Sequence, residues 1–506
     1  MKVKTLALQN IKSYAESGLL DFSPTVNLFV GKNNSGKSVI LRSIHRLQDK
    51  TALDPNPRRV SSQRGRIEYG LTDITDYGKY PQIFRNSQWP DSFVIFCEVT
   101  AAMQSLRSPN LGGAPDSMPR REPDNTIYPF LSKRNVLAFS EIVNEIAAYE
   151  VTSDFTTLPA VVDQLRDTAH PSHARFNSAC IDILGFPIST FASSGGKSMG
   201  LTVDLQTRIR IESMGSGVTH ILGLVARLCS AENKIFIIEE PENDLHPQAL
   251  KKLMSLITES SISNQFFIST HSNIVTRYLG ASDLAQIFKI EIELNGGIPT
   301  STVTPVGTEI SDRQNLLIEL GYDLFDFEIY DAWLFLEESS AERIIREYLI
   351  PWFAPRLQGR LKTIAAGGID KVEPQFADFN RLFLFTHLEE IYRNKSWVLV
   401  DGDEIGRKTI ERLVEVYCPK WDIKQFRQFT KSDFEHYYPY RFKNEIDVVL
   451  SIDRSQKAQR RQAKIELGGD VRKWIDENTE DARAALAESA SEVIEVLKKI
   501  ESTLYG

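Results

Sequence analysis

A phosphate-binding motif near the start of the chain carries its clearest chemistry, and it reads Gly31-Lys32-Asn33-Asn34-Ser35-Gly36-Lys37-Ser38. An apolar run over residues 26–30 predicts a strand before the motif, and apolar residues at helical spacing predict a helix after it. Backbone N–H groups of such a loop, and of the helix N-terminus, bind phosphate oxygens. Lys37 would reach the β- and γ-phosphates, and the Ser38 hydroxyl would bind Mg²⁺. The motif predicts ATP or GTP binding through Gly31, Asn33, Asn34, Ser35, Gly36, Lys37 and Ser38.

Two carboxylates follow a later apolar run, Ile235-Phe236-Ile237-Ile238. A buried strand would deliver Glu239 and Glu240 to the sheet edge where α/β proteins bind ligands. Glu239 is predicted to hold Mg²⁺ through water, and Glu240 to polarise the attacking water. The next predicted strand, over residues 265–269, ends beside His271, which would contact the γ-phosphate. The alternative interpretation of the acidic pair is a solvated strand end.

A separate acidic pattern occupies the last third of the chain. The apolar run Trp397-Val398-Leu399-Val400 ends at Asp401-Gly402-Asp403, and the run Trp333-Leu334-Phe335-Leu336 ends at Glu337-Glu338. A predicted helix follows each run, over residues 341–348 and 407–416. Parallel strands with carboxylates at matching ends can converge on one or two Mg²⁺ ions. The alternative interpretation is a solvated acidic loop that closes a strand.

The elements that must position these residues predict an α/β fold with more than one domain. The chain has 506 residues, 42% hydrophobic and 25% charged, which is typical of a globular protein. We expect a first domain over residues 1–320, with a helical insertion at about 130–190 and strands resuming at Leu201. A second domain is expected over residues 328–506, ending in one long helix from Thr479 to Leu504.

The cysteines and the hydropathy pattern bear on the compartment. Four cysteines lie far apart without a CxxC pair, which argues against a zinc site or a disulfide framework. The first residues contain no apolar signal-peptide core, and no stretch is long enough to span a bilayer. We therefore expect a cytoplasmic protein without a membrane partner. The net charge of −8 neither indicates nor excludes nucleic-acid binding.

The first domain resembles the ABC-type ATPase heads of the SMC, RecF and OLD (overcoming lysogenisation defect) proteins. The resemblance covers the opening strand, Asn10-Ile11-Lys12-Ser13-Tyr14, the phosphate loop and the Glu239-Glu240 strand. It implies that residues 212–218 form the signature loop, with Gly215, Ser216 and Gly217 as further nucleotide contacts. It also implies two heads that sandwich ATP, so that each signature loop completes the site of the other head.

The second domain resembles the Rossmann-like TOPRIM domain of topoisomerases, DnaG-type primases and OLD nucleases. The resemblance implies that Glu337, Asp401 and Asp403 bind the catalytic metal ions, with a glycine turn at Gly367-Gly368 between them. The chain departs from the family pattern where Glu338 replaces a glycine and Ala341 replaces an acid. A later segment, residues 431–438, is similar to a part of OLD nucleases that supplies another acid, here Glu435.

An ABC-type head fused to a TOPRIM domain is the arrangement of the OLD family. This resemblance implies an ATP-regulated, metal-dependent DNA endonuclease of anti-phage defence, with ATP and Mg²⁺ as cofactors and Mn²⁺ as an alternative ion at the TOPRIM site. One ion would activate water and another would stabilise the leaving oxygen. The expected partners are DNA, a second copy of the chain or a higher homo-oligomer, and a partner protein or retron RNA–DNA element of a defence operon.

Two other functions fit the same residues. The first is an SMC/RecF-like DNA-binding ATPase with a degenerate TOPRIM domain, which the departures at Glu338 and Ala341 keep open. The second is a regulatory scaffold subunit of a defence complex. Loss of metal-dependent cleavage in an Asp401→Ala variant would separate the nuclease from both.

Overall fold

The computed structural model of the chain divides into two compact units, Met1–Tyr322 and Asp323–Gly506. It describes the chain except for residues 74–91, 101–103, 108–116, 132–138, 142, 144–150, 152–154, 205–206, 215, 244, 283, 308–309, 322–329, 387, 389–391, 419, 454–455 and 506. Each unit contains its own sheet of mainly parallel strands.

The first unit is an α/β structure with three sheets. Its strands are β1 Lys2–Ile11, β2 Tyr14–Asp21, β3 Val26–Val30, β4 Gly65–Thr72, β5 Ser92–Val99, β6 Gln104–Arg107, β7 Ile127–Phe130, β8 Ser189–Ser193, β9 Gly196–Thr202, β10 Arg208–Arg210, β11 Ile235–Glu239, β12 Gln265–Thr270, β13 Gln286–Asn295 and β14 Ile298–Pro305. Its described helices are α1 Lys37–His45, α2 Leu158–Arg166, α3 His173–Leu184, α4 Ser216–Ser230, α5 Pro247–Ser260, α6 Asn273–Leu279 and α7 Ile310–Glu319.

The central sheet of the first unit has the order β14-β13-β3-β12-β11-β7. All neighbouring strands are parallel except the β13–β14 hairpin. Every residue of β3, β11 and β12 is buried. Strands covered on both faces are expected to be almost continuously apolar, as these are. Because β3, β11 and β12 run in the same direction, the phosphate loop, the Glu239–Glu240 pair and His271 follow at the same edge of the sheet.

One hydrophobic core joins the central sheet, helix α1 and the antiparallel sheet β2-β1-β4-β5-β6. At its centre, Phe22 makes edge-to-face contacts with Phe29, Phe267 and Phe288, at ring-centroid distances of 5.0–6.1 Å. A buried side chain of this size contributes about 1.5–3 kcal/mol by leaving water. This core fixes β3, and with it the start of the phosphate loop.

The expected helical insertion is seen in part. Helices α2 and α3 lie within residues 130–190, with Val161, Val162 and Leu165 buried on α2. Much of the earlier half of that segment lies outside the described residues. Strands resume at Ser189, before the expected Leu201, in the small sheet β10-β9-β8. The period-two pattern is weak there because most residues of β8 and β10 are only partly buried or exposed.

The second unit has one parallel sheet of four strands, β15 Ala332–Leu336, β16 Leu361–Ala365, β17 Ser396–Val400 and β18 Phe426–Gln428. Its described helices are α8 Ser339–Ile344, α9 Ile350–Phe353, α10 Val372–Thr386, α11 Glu404–Tyr417, α12 Lys443–Leu450, α13 Lys457–Glu477, α14 Thr479–Ser489 and α15 Ser491–Tyr505. The strand order is β16-β15-β17-β18, so the chain leaves β15 to one side and then returns to its other side. Open α/β sheets bind ligands at such a reversal, beside the carboxyl ends of the strands.

The prediction of one long C-terminal helix is wrong. Residues 479–504 form two helices, α14 and α15, which are separated at Ala490. The backbone carbonyl of Ser489 accepts a hydrogen bond from Lys431 Nζ at 3.2 Å, and the Ser489 hydroxyl donates to the carbonyl of Tyr437 at 3.0 Å. These contacts hold the chain where the helix breaks, and composition alone does not reveal them.

Among the described residues, no helix is both long enough and apolar enough to cross a membrane. The longest one, α13, has 21 residues and a strongly polar composition.

Candidate functional site

The phosphate loop lines a cavity of about 1040 Å³ in the first unit. Six of the seven residues predicted to bind phosphate line it, namely Asn33, Asn34, Ser35, Gly36, Lys37 and Ser38. Two hydrogen bonds hold the loop: Tyr14 donates its hydroxyl to the Gly36 carbonyl at 3.1 Å, and Ser301 donates to the Ser35 carbonyl at 2.6 Å. The volume is sufficient for a nucleotide, since small-molecule pockets usually measure about 300–1,000 Å³.

The Lys37 ammonium is held by the loop itself. It donates hydrogen bonds to the carbonyls of Gly31 at 2.7 Å and Lys32 at 2.8 Å. Burial lowers the pKa of Lys37, while the nearby carboxylates Glu240, Glu242 and Glu239 oppose that shift. A phosphate in the loop would supply the negative charge that a buried ammonium requires.

Gly36 has a backbone conformation that favours glycine, with φ at +108°. A Cβ atom there would lie 2.6 Å from the Ser301 hydroxyl oxygen and 3.0 Å from that of Ser13. The added Cβ would force the phosphate loop to shift, on top of a left-handed conformation that costs other residues about 1–2 kcal/mol, so we expect Gly36→Ala to weaken ATP binding about tenfold. Titration calorimetry with ATP measures this.

Gly18→Ala is the matched control, since Gly18 has φ +68° but no atom within 4 Å of an added Cβ. It should carry a similar backbone strain and leave ATP affinity unchanged. Equal ATP affinity in Gly36→Ala and the wild type would contradict the role given to Gly36.

The two acidic residues at the end of β11 differ in environment. Glu239 is 1% exposed and its Oε1 lies 4.0 Å from Arg42 Nε. Glu240 lines the phosphate cavity and has φ +48°, a conformation that costs a non-glycine residue about 1–3 kcal/mol. Its carboxylate accepts a hydrogen bond from Asn243 Nδ2 at 3.0 Å. Glu240 thus combines a strained backbone with a position at the phosphate cavity.

His271 lies at the same sheet edge, where it contacts the carboxylate of Glu242. No role was predicted for Glu242. Glu242 Oε1 accepts hydrogen bonds from the Thr270 hydroxyl at 2.7 Å and from the His271 backbone N–H at 2.8 Å. His271 Nδ1 lies 3.2 Å from that oxygen and 3.9 Å from Glu240 Oε1. Glu242 thus links the ends of β11 and β12. Its sequence signal was a third acid beside the pair, in Glu239-Glu240-Pro241-Glu242.

The predicted signature loop begins with a 3₁₀ turn over Ile211–Met214 and continues into α4. Gly217 lies in the first turn of that helix, Gly215 lies outside the described residues, and so does the side chain of Ser216. Among the described residues that line the phosphate cavity, none comes from this segment. Its nucleotide contacts stay a prediction that requires a second head.

A second acidic site lies at the strand-order reversal of the second unit. Strands β15 and β17 are adjacent and parallel, with Leu336 opposite Leu399. Glu337 and Asp401 therefore follow the two strands at the same edge, and the Asp401 N–H donates to Glu337 Oε2 at 3.3 Å. Glu337, Glu338 and Asp401 each offer a ligand atom, and these atoms lie within 4.8 Å of one another. This spacing fits a divalent cation with oxygen ligands.

Two carboxylates of this group, those of Glu337 and Asp401, have raised pKa values, which a bound cation would lower. Burial, together with the nearby carboxylates of Glu337 and Glu338, raises the pKa of Asp401 to about 9. Burial likewise raises the pKa of Glu337 to about 7. Buried carboxylates that crowd one another favour protonation, and a bound cation favours their charged forms instead. Oxygen-rich carboxylate sites suit Mg²⁺ and Mn²⁺.

Backbone contacts fix the ends of both strands. The N–H groups of Gly367 and Gly368 donate to the Glu337 carbonyl at 3.0 and 2.9 Å. Both glycines have positive φ, +78° and +133°, so the turn requires residues without a side chain. At the other strand, a Cβ on Gly402 would lie 2.4 Å from the Phe429 carbonyl oxygen. The two glycine signals in the sequence thus have backbone causes.

Two of the predicted metal ligands lie outside the group of three. Asp403 Oδ1 accepts a hydrogen bond from the Gly406 N–H at 2.8 Å and caps helix α11. Glu435 is fully buried, and its Oε2 lies 3.0 Å from Lys464 Nζ. Ala341, at the position of an expected acid, is buried in helix α8. Sequence patterns find carboxylates but do not show which of them are already bonded.

Comparison with protein-family models supports the chemistry of the first unit. Residues 1–91 match the model "AAA ATPase domain", and residues 89–277 match "AAA domain, putative AbiEii toxin, Type IV TA system". Together the matches contain the phosphate loop, the Glu239–Glu240 pair and His271. The first unit thus contains a P-loop ATPase domain, which supports the predictions of ATP binding and of ATPase activity.

Curated relatives match over shorter stretches. An uncharacterised protein of Methanocaldococcus jannaschii is 22% identical over 268 residues, which are 51% of this chain and 31% of that protein. The DNA replication and repair protein RecF of Lactococcus lactis subsp. cremoris is 38% identical over 77 residues, 14% of this chain and 21% of RecF. The chain thus spans about a third or less of the length of these relatives.

Solved structures of SMC heads show a partial likeness. An SMC head bound to the C-terminal winged-helix domain of ScpA is 14% identical, with a TM-score of 0.43 over 60% of this chain and 99% of that one. The SMC head domain from Thermotoga maritima is 16% identical, with a TM-score of 0.36 over 61% of this chain and 100% of that one. The ATPase assignment rests on the family models and on the geometry of the phosphate loop.

Proposed function

We propose that this protein is an ATP-regulated, divalent-metal-dependent DNA endonuclease that acts in anti-phage defence. The observation that supports the nuclease is the convergence of Glu337, Glu338 and Asp401 at the strand-order reversal of a parallel sheet. The same chain carries a P-loop ATPase domain. This combination is the one that the sequence resemblance to the OLD family implies, with the second unit as its TOPRIM domain.

In this proposal, the second site hydrolyses a phosphodiester. Glu337 and Asp401 hold Mg²⁺ or Mn²⁺, and Asp403, through helix α11, fixes the loop that carries Asp401. When bound, the ion supplies an activated water and stabilises charge on the phosphate. The cavity beside the carboxylates measures about 470 Å³ and is also lined by Ser432 and the cations Arg460 and Arg461. Arg460 is paired with Asp433, whereas the exposed Arg461 offers a positive charge to a polyanion such as DNA.

The ATPase domain would act as the switch. Lys37 and Ser38 bind the phosphates and Mg²⁺, Glu239 and Glu240 support hydrolysis, and His271 senses the γ-phosphate. ATP would bring two chains together through their heads, so the active form is at least a homodimer. The signature loop of each chain would then complete the other site, and the change in packing would control access to the nuclease site.

The names of the matching protein and family model support the biological context. The curated matches include a protein named for DNA replication and repair, which favours DNA as the substrate. One family model is named for a toxin of a toxin–antitoxin system, which favours a role in defence. A partner protein or a retron RNA–DNA element would then serve as the trigger.

Plasmid cleavage tests the proposal. With Mg²⁺ or Mn²⁺, the wild type should nick or cut supercoiled plasmid, and Asp401→Ala should leave it intact because a metal ligand is lost. Asp470→Ala is the control, since Asp470 is exposed on helix α13. Equal cleavage by Asp401→Ala and the wild type would place the activity elsewhere, and no cleavage by any of them would reject the nuclease.

A DNA-binding ATPase without nuclease activity is the second candidate, and the matches to RecF favour it. In that case the second unit would bind DNA or a partner without cutting. DNA binding by the wild type that persists in Asp401→Ala, together with an absence of cleavage at any metal concentration, would select this function.

A further inference from the structure

The ammonium of one buried lysine lies among the acids beside the candidate metal group. Lys464, on helix α13, has its Nζ 3.1 Å from Glu338 Oε1, 3.2 Å from Asp433 Oδ1 and 3.0 Å from Glu435 Oε2. Its side chain is 9% exposed. An ammonium has three N–H donors and here faces three carboxylates, so it has no donor left for a further ligand.

The carboxylates around Lys464 require a positive charge. Glu435 is fully buried, and a buried carboxylate without a cation is strongly destabilising. Asp433 also forms an ion pair with Arg460, whose Nη2 lies 2.9 Å from Asp433 Oδ1. Lys464 Nζ thus lies within 3.2 Å of a carboxylate oxygen of each of Glu338, Asp433 and Glu435, and it supplies the positive charge that these three acids face.

Glu337 and Asp401 differ from these acids. Among the described residues, neither of the two forms an ion pair with a lysine or arginine. Glu338 lies between the two sets, since one oxygen faces Lys464 while the residue also offers a ligand atom to the group with Glu337 and Asp401. The cluster thus contains one place that a cation already fills and one that needs a cation.

We propose that the second site takes one divalent cation per chain, held by Glu337, Glu338 and Asp401, and that the Lys464 ammonium fills the place of a second ion. In two-metal sites the ions lie about 3.5–4 Å apart, each bound by carboxylates. A second divalent ion at Glu338, Asp433 and Glu435 would have to displace a lysine that is bound on all sides. This inference rests on the proposed metal-dependent function and defines its metal content.

Binding of Mn²⁺ to the full-length chain without nucleotide tests the inference. Electron paramagnetic resonance with titration should find one Mn²⁺ per chain that Asp401→Ala no longer binds, with the signal of an isolated ion. Lys464→Met removes the charge at similar length and should raise the count to two ions per chain. Lys464→Arg should keep it at one, and Lys473→Met, at an exposed position of the same helix, is the matched control.

Two outcomes overturn the inference: two Mn²⁺ ions per wild-type chain that both depend on Asp401, or a folded Lys464→Met that still binds one. If Lys464→Met does not fold, the wild-type count and the presence or absence of spin coupling between two ions decide. One bound ion without DNA cleavage would reject the proposed nuclease and support the inference. Two bound ions with DNA cleavage would reject the inference and support the proposed nuclease.

Discussion

Glu240→Gln is expected to lower the rate of ATP hydrolysis by about 100-fold or more while ATP still binds. Loss of a positioned general base typically costs about 10²–10⁴-fold in rate. Glu240 lines the phosphate cavity with a strained backbone, and Asn243 and His271 flank its carboxylate. Glutamine keeps the size and the hydrogen-bonding shape but cannot accept the proton of the attacking water. Phosphate release and ATP binding, measured on the same preparation, check both parts.

Two further variants make this result interpretable. Lys37→Ala should lose ATP binding itself, because Lys37 is the residue predicted to contact the phosphates. Glu232→Gln, at an exposed position before β11, should hydrolyse ATP at the wild-type rate. Full turnover in Glu240→Gln would show that another group activates the water.

Asp401→Asn is expected to stabilise the metal-free protein at pH 8 and to remove its response to metal. Burial raises the pKa of Asp401 to about 9 in the folded chain, against about 3.9 in an unfolded one. The charged form therefore disfavours folding, a cost that is absent below pH 4 and grows as the pH rises towards 9. Asparagine avoids this cost, so the melting temperature should rise by about 4 °C at pH 8 and hardly at pH 4.

Added Mg²⁺ should reverse the order. It should raise the melting temperature of the wild type, because a ligand that binds only the folded chain stabilises it. Asp401→Asn should not respond, since it lacks a charged ligand, and the exposed Asp470→Asn should behave as the wild type. A metal-free Asp401→Asn that melts below the wild type at pH 8 would contradict the account of this carboxylate.

The sequence predicted the elements whose signals are contiguous. The buried strands β3, β11, β15 and β17 each coincide with an apolar run, and the acids that follow them lie at the expected edges. A phosphate loop is a continuous segment with its own backbone geometry. Such features depend on neighbouring residues, which a single sequence displays.

Features that depend on distant contacts could not be read in this way. Lys464 is 126 residues from Glu338, and a lysine in a polar helix gives no sign that it will be buried among acids. The same limit applies to Ser489, whose carbonyl is bonded by Lys431, 58 residues away, where the C-terminal helix breaks. Asp403 shows the same limit within a single motif. Its spacing from Asp401 does not reveal that Asp403 caps helix α11.

The plasmid assay under nucleotide control tests the central claim most directly. Cleavage with Mg²⁺ should be measured with ATP, with a non-hydrolysable analogue and without nucleotide, for the wild type, Lys37→Ala and Asp401→Ala. We expect wild-type cleavage rates to differ at least about fivefold between nucleotide states, as coupled sites usually do. Lys37→Ala should cut at one rate in all three states, and Asp401→Ala should not cut. Equal wild-type rates in all states, or cleavage by Asp401→Ala, would contradict an ATP-regulated nuclease at this site.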